Sequence, residues 1–491
     1  MLSLFGIFLV LVASLVFIQY LKLQWATRRL PPGPTPFPII GTLWQMNFEF
    51  SHENLMKLAQ RHGNICTIWV GHFPLIVLNG FQAVKEGLTA HPEDVSGRLV
   101  SPFYKRVGKE KGIIFTSGHV WKQQRRIGVM SLKNLGLGKK GLESRIHEEA
   151  QHLSEVFANS KGQPLDPSFH IILAVSNVIC AVVFGHRFSE EDKTFQQLIK
   201  KTNDLLRVGG GVWHNLYDMF PSLMEHCPGP LQKAFSSVDF LHSVARNEIR
   251  NHKQNEWSMD DPQDFIDFYL AQIAKNTGDP TSTLDESNLV QSIFDFFLAG
   301  TETTATTMRW AVLYMVAYPD IQGKVQKELD AVLGSSQLIC YEDRKKMPYT
   351  NAVIHEVQRF ANIVAVGVPR LSTKDTTLLG FPVPKGTIIL PNLSSTLLDS
   401  KEWETPRRFN PGHFLDQDGN FVNREAFLPF SAGHRVCLGE QLARMELFIF
   451  FTRLMRTFTF QLPEGVKEIN MESIKGLTLL PHPYDICAVP R

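Results

Sequence analysis

Apolar residues recur at helical spacing along most of the chain, and the pattern predicts a succession of helices. They fall at about 51–62, 119–132, 141–158, 168–183, 190–206, 230–253, 262–275, 319–333, 348–361 and 438–456. One longer apolar run, Asp285 to Tyr318, is stopped by Pro319. It predicts a single helix of roughly 50 Å at about 1.5 Å per residue. Ile65 to Leu78 mixes β-branched and aromatic residues in alternation and reads as a hairpin. Residues 363–392 are strand-like with Gly and Pro turns, and the stretch after the last helix reads as β-like turns. Glu93 to Ser117, rich in glycine and charge, is expected to be irregular. The fold class this implies is mainly α with small β-sheets.

The first residues differ in kind. Leu2 to Tyr20 carries no charge, and its length is near the minimum for a spanning helix. No basic residue precedes it, while Lys22, Arg28 and Arg29 follow. That asymmetry favours an uncleaved anchor with the rest of the chain cytosolic over a cleaved signal. Pro31-Pro32-Gly33-Pro34 cannot be helical and predicts a stiff elbow. The expected division is an anchor over 2–20, a basic flank and proline-rich hinge over 21–40, and one large domain over 41–491.

Composition narrows the function classes. Length alone would allow about three domains, but no repeat or low-complexity linker divides the 491 residues. A net charge of +2 gives no basis for a nucleic-acid partner. Cys66, Cys180, Cys227, Cys340, Cys437 and Cys487 are scattered without CxxC spacing, which excludes a zinc framework or disulfide scaffold. The sequon Asn392-Leu393-Ser394 is expected to go unused in a cytosolic domain. Gly136 to Gly141 fits GxGxxG but follows a helix pattern, so it reads as a chance match. Gly209-Gly210-Gly211 reads as a flexible connection.

Candidate chemistry centres on Cys437. It lies in Phe430-x-x-Gly433-x-Arg435-x-Cys437-x-Gly439, just before a helical run. A helix N-terminus favours a thiolate. Gly433 and Gly439 permit close backbone approach or positive φ, and Arg435 offers a fork for a carboxylate. Such a thiolate suits an axial ligand of haem iron. A cysteine in isolation would read as a small buried hydrophobe, but the combined spacing resembles the haem-binding signature of the cytochrome P-450 superfamily. The resemblance covers essentially the whole chain, anchor and proline hinge included. It implies the cytochrome P-450 fold with an N-terminal single-pass membrane anchor, haem b as cofactor, and Cys437 as ligand of its iron.

Other segments extend the likeness. Ala299-Gly300-Thr301-Glu302-Thr303-Thr304 places polar groups inside the long apolar helix. Burying them costs free energy unless they are paired or used. Gly300 in a helix interior costs about 1 kcal/mol relative to alanine, which suggests a groove for a ligand; a threonine back-bonded kink is the plainer alternative. The segment resembles the family's oxygen-activation motif, with Thr303 as its hydroxyl and Glu302 as the acid of the proton relay. Glu356 and Arg359, three apart on one helix face, would ordinarily be a surface pair. Here they resemble the ExxR motif, and Pro406 to Phe409 resembles PxRF, which implies a structural network of Glu356, Arg359 and Arg408. Trp121 and Arg125 resemble the WxxxR motif that bonds a haem propionate. Arg435 is a second propionate partner and Arg370 a third. Lys122 and Arg126 should then point outward. With Lys133, Lys139 and Lys140 they form either an ordinary solvated face or a dock for an acidic reductase.

By the same likeness the substrate pocket draws on Phe103, Ile113, Phe115, Phe294, Phe297, Leu298, Ala299, Val364, Ala365, Val366, Leu477 and Leu479, though each could be plain core. Arg98 and Arg207 are candidate anchors for a carboxylate. The chain looks like family 2 of the microsomal animal enzymes and most like the J subfamily, on segments such as Met347 to Arg359 and Glu148 to Leu153. His434 and Arg407 depart from the usual residues. The resemblance implies a monooxygenase of the endoplasmic reticulum. It would take electrons from NADPH through cytochrome P-450 reductase, with cytochrome b5 as a further partner. Polyunsaturated fatty acids such as arachidonic acid, and xenobiotics, are the implied substrates. A dedicated xenobiotic or steroid hydroxylase, a peroxide isomerase and a non-catalytic membrane-anchored haem protein are the rival readings; the Glu302-Thr303 pair argues against the isomerase.

Overall fold

The computed structural model describes residues 4–46, 50–136, 140–254, 260–334 and 338–491. The chain forms two compact units. One comprises Met1–Leu99, Val364–Arg407 and Glu425–Cys437; the other comprises Val100–Ile363, Arg408–Arg424 and Leu438–Arg491.

The first unit begins with a helix, Leu4–Thr27, in which only Leu23 is buried. It is longer than the predicted apolar run, whose residues 2 and 3 lie outside the described ones. Its length and composition suffice to cross a membrane. The prolines that follow are tied to the first strand, because Thr67 donates its N–H to the Pro32 carbonyl and its hydroxyl to that of Pro31. The predicted hairpin forms as Ile65–Val70 and Phe73–Leu78. Phe73–Leu78 pairs in parallel with Ile388–Pro391, which pairs antiparallel with Arg370–Leu371, and Gly97–Arg98 closes the five-stranded sheet. Helix His52–His62 is capped by Ser51 and ended at Gly63. The helix Phe81–Thr89 was not predicted from the pattern; it starts where Gly80, at φ 77°, turns the chain out of the sheet. Asn392 of the sequon is fully buried, its amide donating to the His52 carbonyl and the Asn79 side chain. No glycan fits there.

The second unit is dominated by helices close to the predicted boundaries. Gly118–Asn134, Ser168–Val183, Pro230–Gln254, Phe265–Lys275, Pro348–Ala361 and Glu440–Thr457 are the ones that matter for function. The longest, Glu286–Ala317, is capped by Asp285 accepting from Asn288 and halts before Pro319. Within the region expected to be irregular, Ser101 and Pro102 start a short helix, Pro102–Gly108. Beyond it the loop is pinned: Asp295 of the long helix accepts the N–H groups of Ile113 at 2.6 Å and Ile114 at 3.0 Å. Gly209 to Gly211 join two helices, Lys193–Val208 and Val212–Met219. The GxGxxG string includes residues 137–139, which lie outside the described ones.

Candidate functional site

In the first unit the cysteine loop folds back on itself. The Cys437 N–H donates to the Phe430 carbonyl at 3.0 Å. Gly433 takes φ 71°, and a Cβ there would lie 2.1 Å from the Leu88 carbonyl oxygen, so only glycine fits. Gly439 does not take positive φ, the second of its two expected uses: its φ is −87°, and it serves as N-cap of Glu440–Thr457. Cys437 itself is exposed, whereas Cys66 and Cys180 are buried. Burial pushes the Cys66 thiol up to about 12 and the Cys180 thiol well above its ordinary value. Those two are inert side chains.

Two buried guanidiniums flank this loop. Arg435 donates from Nε to the Ser96 carbonyl at 2.7 Å. Arg370 donates from Nη2 to the Ser431 hydroxyl and the Ala432 carbonyl, each at 3.1 Å. Arg98 is bonded to the carbonyls of Val368 and Pro369.

In the second unit the long helix is buried from Asn288 to Val316 except at Phe296, Leu298, Ala299, Gly300 and Thr303. Four of these recur at i, i+3, i+4 and i+7, but Phe296 packs on the Phe265 ring and Gly300 lies against Ile179, so the open stripe is exposed Ala299 and half-buried Thr303. Thr303 lies on it, and its hydroxyl donates to the Ala299 carbonyl at 2.7 Å. Glu302 lies off the stripe and is buried, with its carboxylate accepting from the Thr306 hydroxyl at 3.2 Å. Burial raises its pKa, against the opposing charge of Arg309. Gly300 is not a ligand groove. An added Cβ would meet Ile179 Cδ1 at 2.5 Å, so its role is close helix packing.

Trp121 is buried and Arg125 half-buried on the inner face of Gly118–Asn134, with the guanidinium 6.0 Å from the indole centroid. Lys122, Arg126 and Lys133 are exposed, as expected. Lys139 and the side chain of Lys140 lie outside the described residues.

Glu356 and Arg359 are wholly buried, not a surface pair. Arg359 Nε and Nη2 each reach a Glu356 oxygen at 2.7 Å. Arg408 enters differently from expectation: Arg359 Nη2 donates to its carbonyl at 2.9 Å, while its side chain is exposed. The third side chain is His413, whose Nδ1 is 3.2 Å from both Glu356 oxygens; the Asn410 N–H adds a bond of 2.7 Å. Nothing in the sequence pattern singled out His413.

Some pocket candidates are packed as core. Phe103 lies among Tyr104, His214, Tyr217 and Phe235, and Phe115 stacks on Tyr104. Phe294 and Phe297 are buried, Ile113 and Ala365 nearly so. Val364 and Val366 are half-buried against the first unit's core. Leu477 is exposed, and the Leu479 carbonyl accepts from the Trp310 indole. Asp295, which fixes the loop carrying Ile113, escaped the sequence reading because the partners that give it this role are backbone groups of a remote loop; its side-chain partner is Gln291, one helical turn away.

Comparison with known proteins places this geometry. The Cytochrome P450 family profile matches residues 31–488. The chain belongs to the cytochrome P-450 family. It is 46% identical to cytochrome P450 2J2 of Homo sapiens over 98% of this chain and 95% of the relative. It is 44% identical to cytochrome P450 2J5 of Mus musculus, over 94% and 92%, and 41% identical to cytochrome P450 2C39 of Mus musculus, over 99% of each.

As a cytochrome P-450 the chain is a monooxygenase that binds haem b through a cysteine thiolate. The residues present fit that group. The exposed thiol stands on a loop tightened by Gly433, and buried guanidiniums beside it suit anionic propionates. On the long helix the open stripe carries a single hydroxyl among apolar positions.

Proposed function

We propose that this cytochrome P-450 hydroxylates or epoxidises lipophilic molecules, polyunsaturated fatty acids such as arachidonic acid foremost and xenobiotics besides. The observation that carries the reading is the opening at Ala299 and Thr303, bordered by half-buried Leu298, on an otherwise buried helix. Apolar side chains there accept a hydrocarbon chain with few fixed polar contacts, which favours breadth over strict selectivity.

Cys437 holds the haem iron, and Arg435, Arg370, Trp121 and Arg125 hold the propionates. When bound, haem b supplies dioxygen activation and transfer of one oxygen atom to carbon. The chain's own part is to exclude water and move protons. Glu302, whose pKa burial raises, is a proton donor, and Thr303 passes the proton along the open stripe. Glu356, Arg359 and His413 hold the scaffold. Electrons come from NADPH through cytochrome P-450 reductase, docked on the exposed Lys122, Arg126 and Lys133, with cytochrome b5 as a further donor. Helix Leu4–Thr27 anchors the chain in the endoplasmic reticulum membrane with Arg28 and Arg29 on the cytosolic side.

The test is product analysis by mass spectrometry with reductase, NADPH and arachidonate, beside a Cys437→Ala control. Epoxides or hydroxy acids that vanish in the control support the reading. No product from an enzyme with a normal carbon monoxide spectrum removes arachidonate and turns the choice to xenobiotics or steroids. Unchanged reductase-supported turnover in Lys122→Glu with Arg126→Glu removes the proposed dock.

A further inference from the structure

A second cluster of ligating side chains lies in the second unit, on residues that the oxygen chemistry does not use. His252 is in the last turn of Pro230–Gln254, Asp264 is the N-cap of Phe265–Lys275, and Asp267 is in that helix's first turn. One ligand atom from each lies within 4.8 Å of the others.

Each side chain uses one polar atom to fix its own orientation. His252 Nδ1 is 2.7 Å from the Glu248 carbonyl, which can only accept, so Nδ1 carries the hydrogen. Asp264 Oδ1 accepts from the Asp267 N–H at 2.9 Å. Asp267 Oδ2 accepts from the Gln263 N–H at 3.3 Å. The remaining atoms are left for one another. His252 Nε2 is 2.9 Å from Asp264 Oδ2. Asp267 Oδ1 is buried without a hydrogen-bond partner among the described residues, on a residue only 7% exposed.

Helix capping accounts for the engaged atoms, and a protonated His252 accounts for Asp264 Oδ2. Neither accounts for Asp267 Oδ1. A buried carboxylate oxygen with no donor is costly, and a second carboxylate beside it adds repulsion. Burial and the Asp264 charge both raise the Asp267 pKa. Burial alone would lower the His252 pKa, but the Asp264 bond and charge carry it up to about 9. Two further titratable groups, Glu248 and His186, face each other at 3.4 Å, and His186 feels the His252 charge. Gly185, at φ 77°, lets its chain pass where a Cβ would lie 2.6 Å from Asp264 Oδ2.

We propose that His252 Nε2, Asp264 Oδ2 and Asp267 Oδ1 bind a divalent cation of the zinc type. One imidazole and two carboxylates are zinc ligands, and water completes the tetrahedron. An Nδ1–H donated to a carbonyl is the usual way a metal-binding imidazole is oriented. The positive end of Phe265–Lys275 opposes a cation there, but two full carboxylate charges outweigh that partial one. The ion clamps the end of one helix to the start of the next.

Calorimetric titration of the chelator-treated, haem-loaded full chain with zinc chloride at pH 7.5 tests the site. One zinc per chain is expected, with a rise in melting temperature. Titration in two buffers of different ionisation enthalpy should show about one proton released per zinc, from His252. Asp267→Asn keeps the side chain's shape and should weaken zinc at least about tenfold, with the carbon monoxide spectrum unchanged. Asp264→Asn, which retains a capping side chain, should do the same. The zinc-free melting temperature of each variant separates loss of the site from loss of the fold. No stoichiometric binding, or binding equal in wild type and both folded variants, overturns the proposal.

Discussion

Gly300 of the long helix and Ile179 of Ser168–Val183 meet so closely that an added Cβ would lie 2.5 Å from Ile179 Cδ1 and 2.9 Å from Cγ1. The glycine thus sets how near the two helices come. Gly300→Ala gains about 1 kcal/mol of helix propensity but overpacks a buried contact at a cost of about 1–3 kcal/mol. Net destabilisation is expected in denaturant melts. Ile179→Val, which removes Cδ1, should recover most of it in the double variant; no coupling between the two would reject the packing role.

The Thr303 hydroxyl is held by the Ala299 carbonyl, so it must turn from that acceptor to hand on a proton. Thr303→Ala should leave the haem spectrum intact. Product formed per NADPH consumed should fall about a hundredfold, the low end of the usual range for a lost proton-transfer group. Thr303→Ser should retain most of it. Equal coupling in all three proteins would exclude a proton-handling role.

Glu356 answers a guanidinium, an imidazole and a backbone N–H in a fully buried position. Glu356→Gln leaves the Arg359 charge uncompensated and should cost about 3–5 kcal/mol. The expected readout is a collapse in haem-loaded protein recovered, measured by the carbon monoxide difference spectrum. Arg408→Ala should be mild by comparison, because only its backbone carbonyl enters the network.

Glu446 supplies a pH prediction. Burial raises its pKa from 4.5 to about 8, partly opposed by a bond from Thr304. The folded state therefore keeps a proton that the unfolded chain has lost between those values. Stability from this group is full below about 4.5 and is lost as pH rises towards about 8. Its slope is about 1.4 kcal/mol per pH unit. Glu446→Gln should flatten that part of the stability profile between pH 5 and 8. Parallel profiles for the two proteins would show that Glu446 is ionised in the fold.

Much of the candidate site was legible because it is written in short-range patterns. Cys437, Gly433 and Arg435 sit within five residues, Trp121 and Arg125 within one helical turn, and the pattern of Glu302 and Thr303 within a single apolar helix. Gly300 was legible as an exception to helix propensity but not as to its cause, since Ile179 is far away in sequence. Asp295 and His413 were not legible at all. The partners that give them their roles are remote backbone N–H groups and a distant carboxylate, and neither leaves a periodic trace.

The sequence by itself determined most of the long helices, the apolar leading segment, the haem signature and the residue types of the oxygen chemistry. These depend on periodicity, capping and local spacing, which one chain direction encodes. Only the tertiary structure decided which positions of the long helix stay open and that Arg408 contributes a carbonyl rather than its charge. It alone decided that Asp267 and His252 converge. Those outcomes turn on which side chains from remote segments fill or leave a given volume, and burial of that kind is a property of the packed fold rather than of any stretch of sequence.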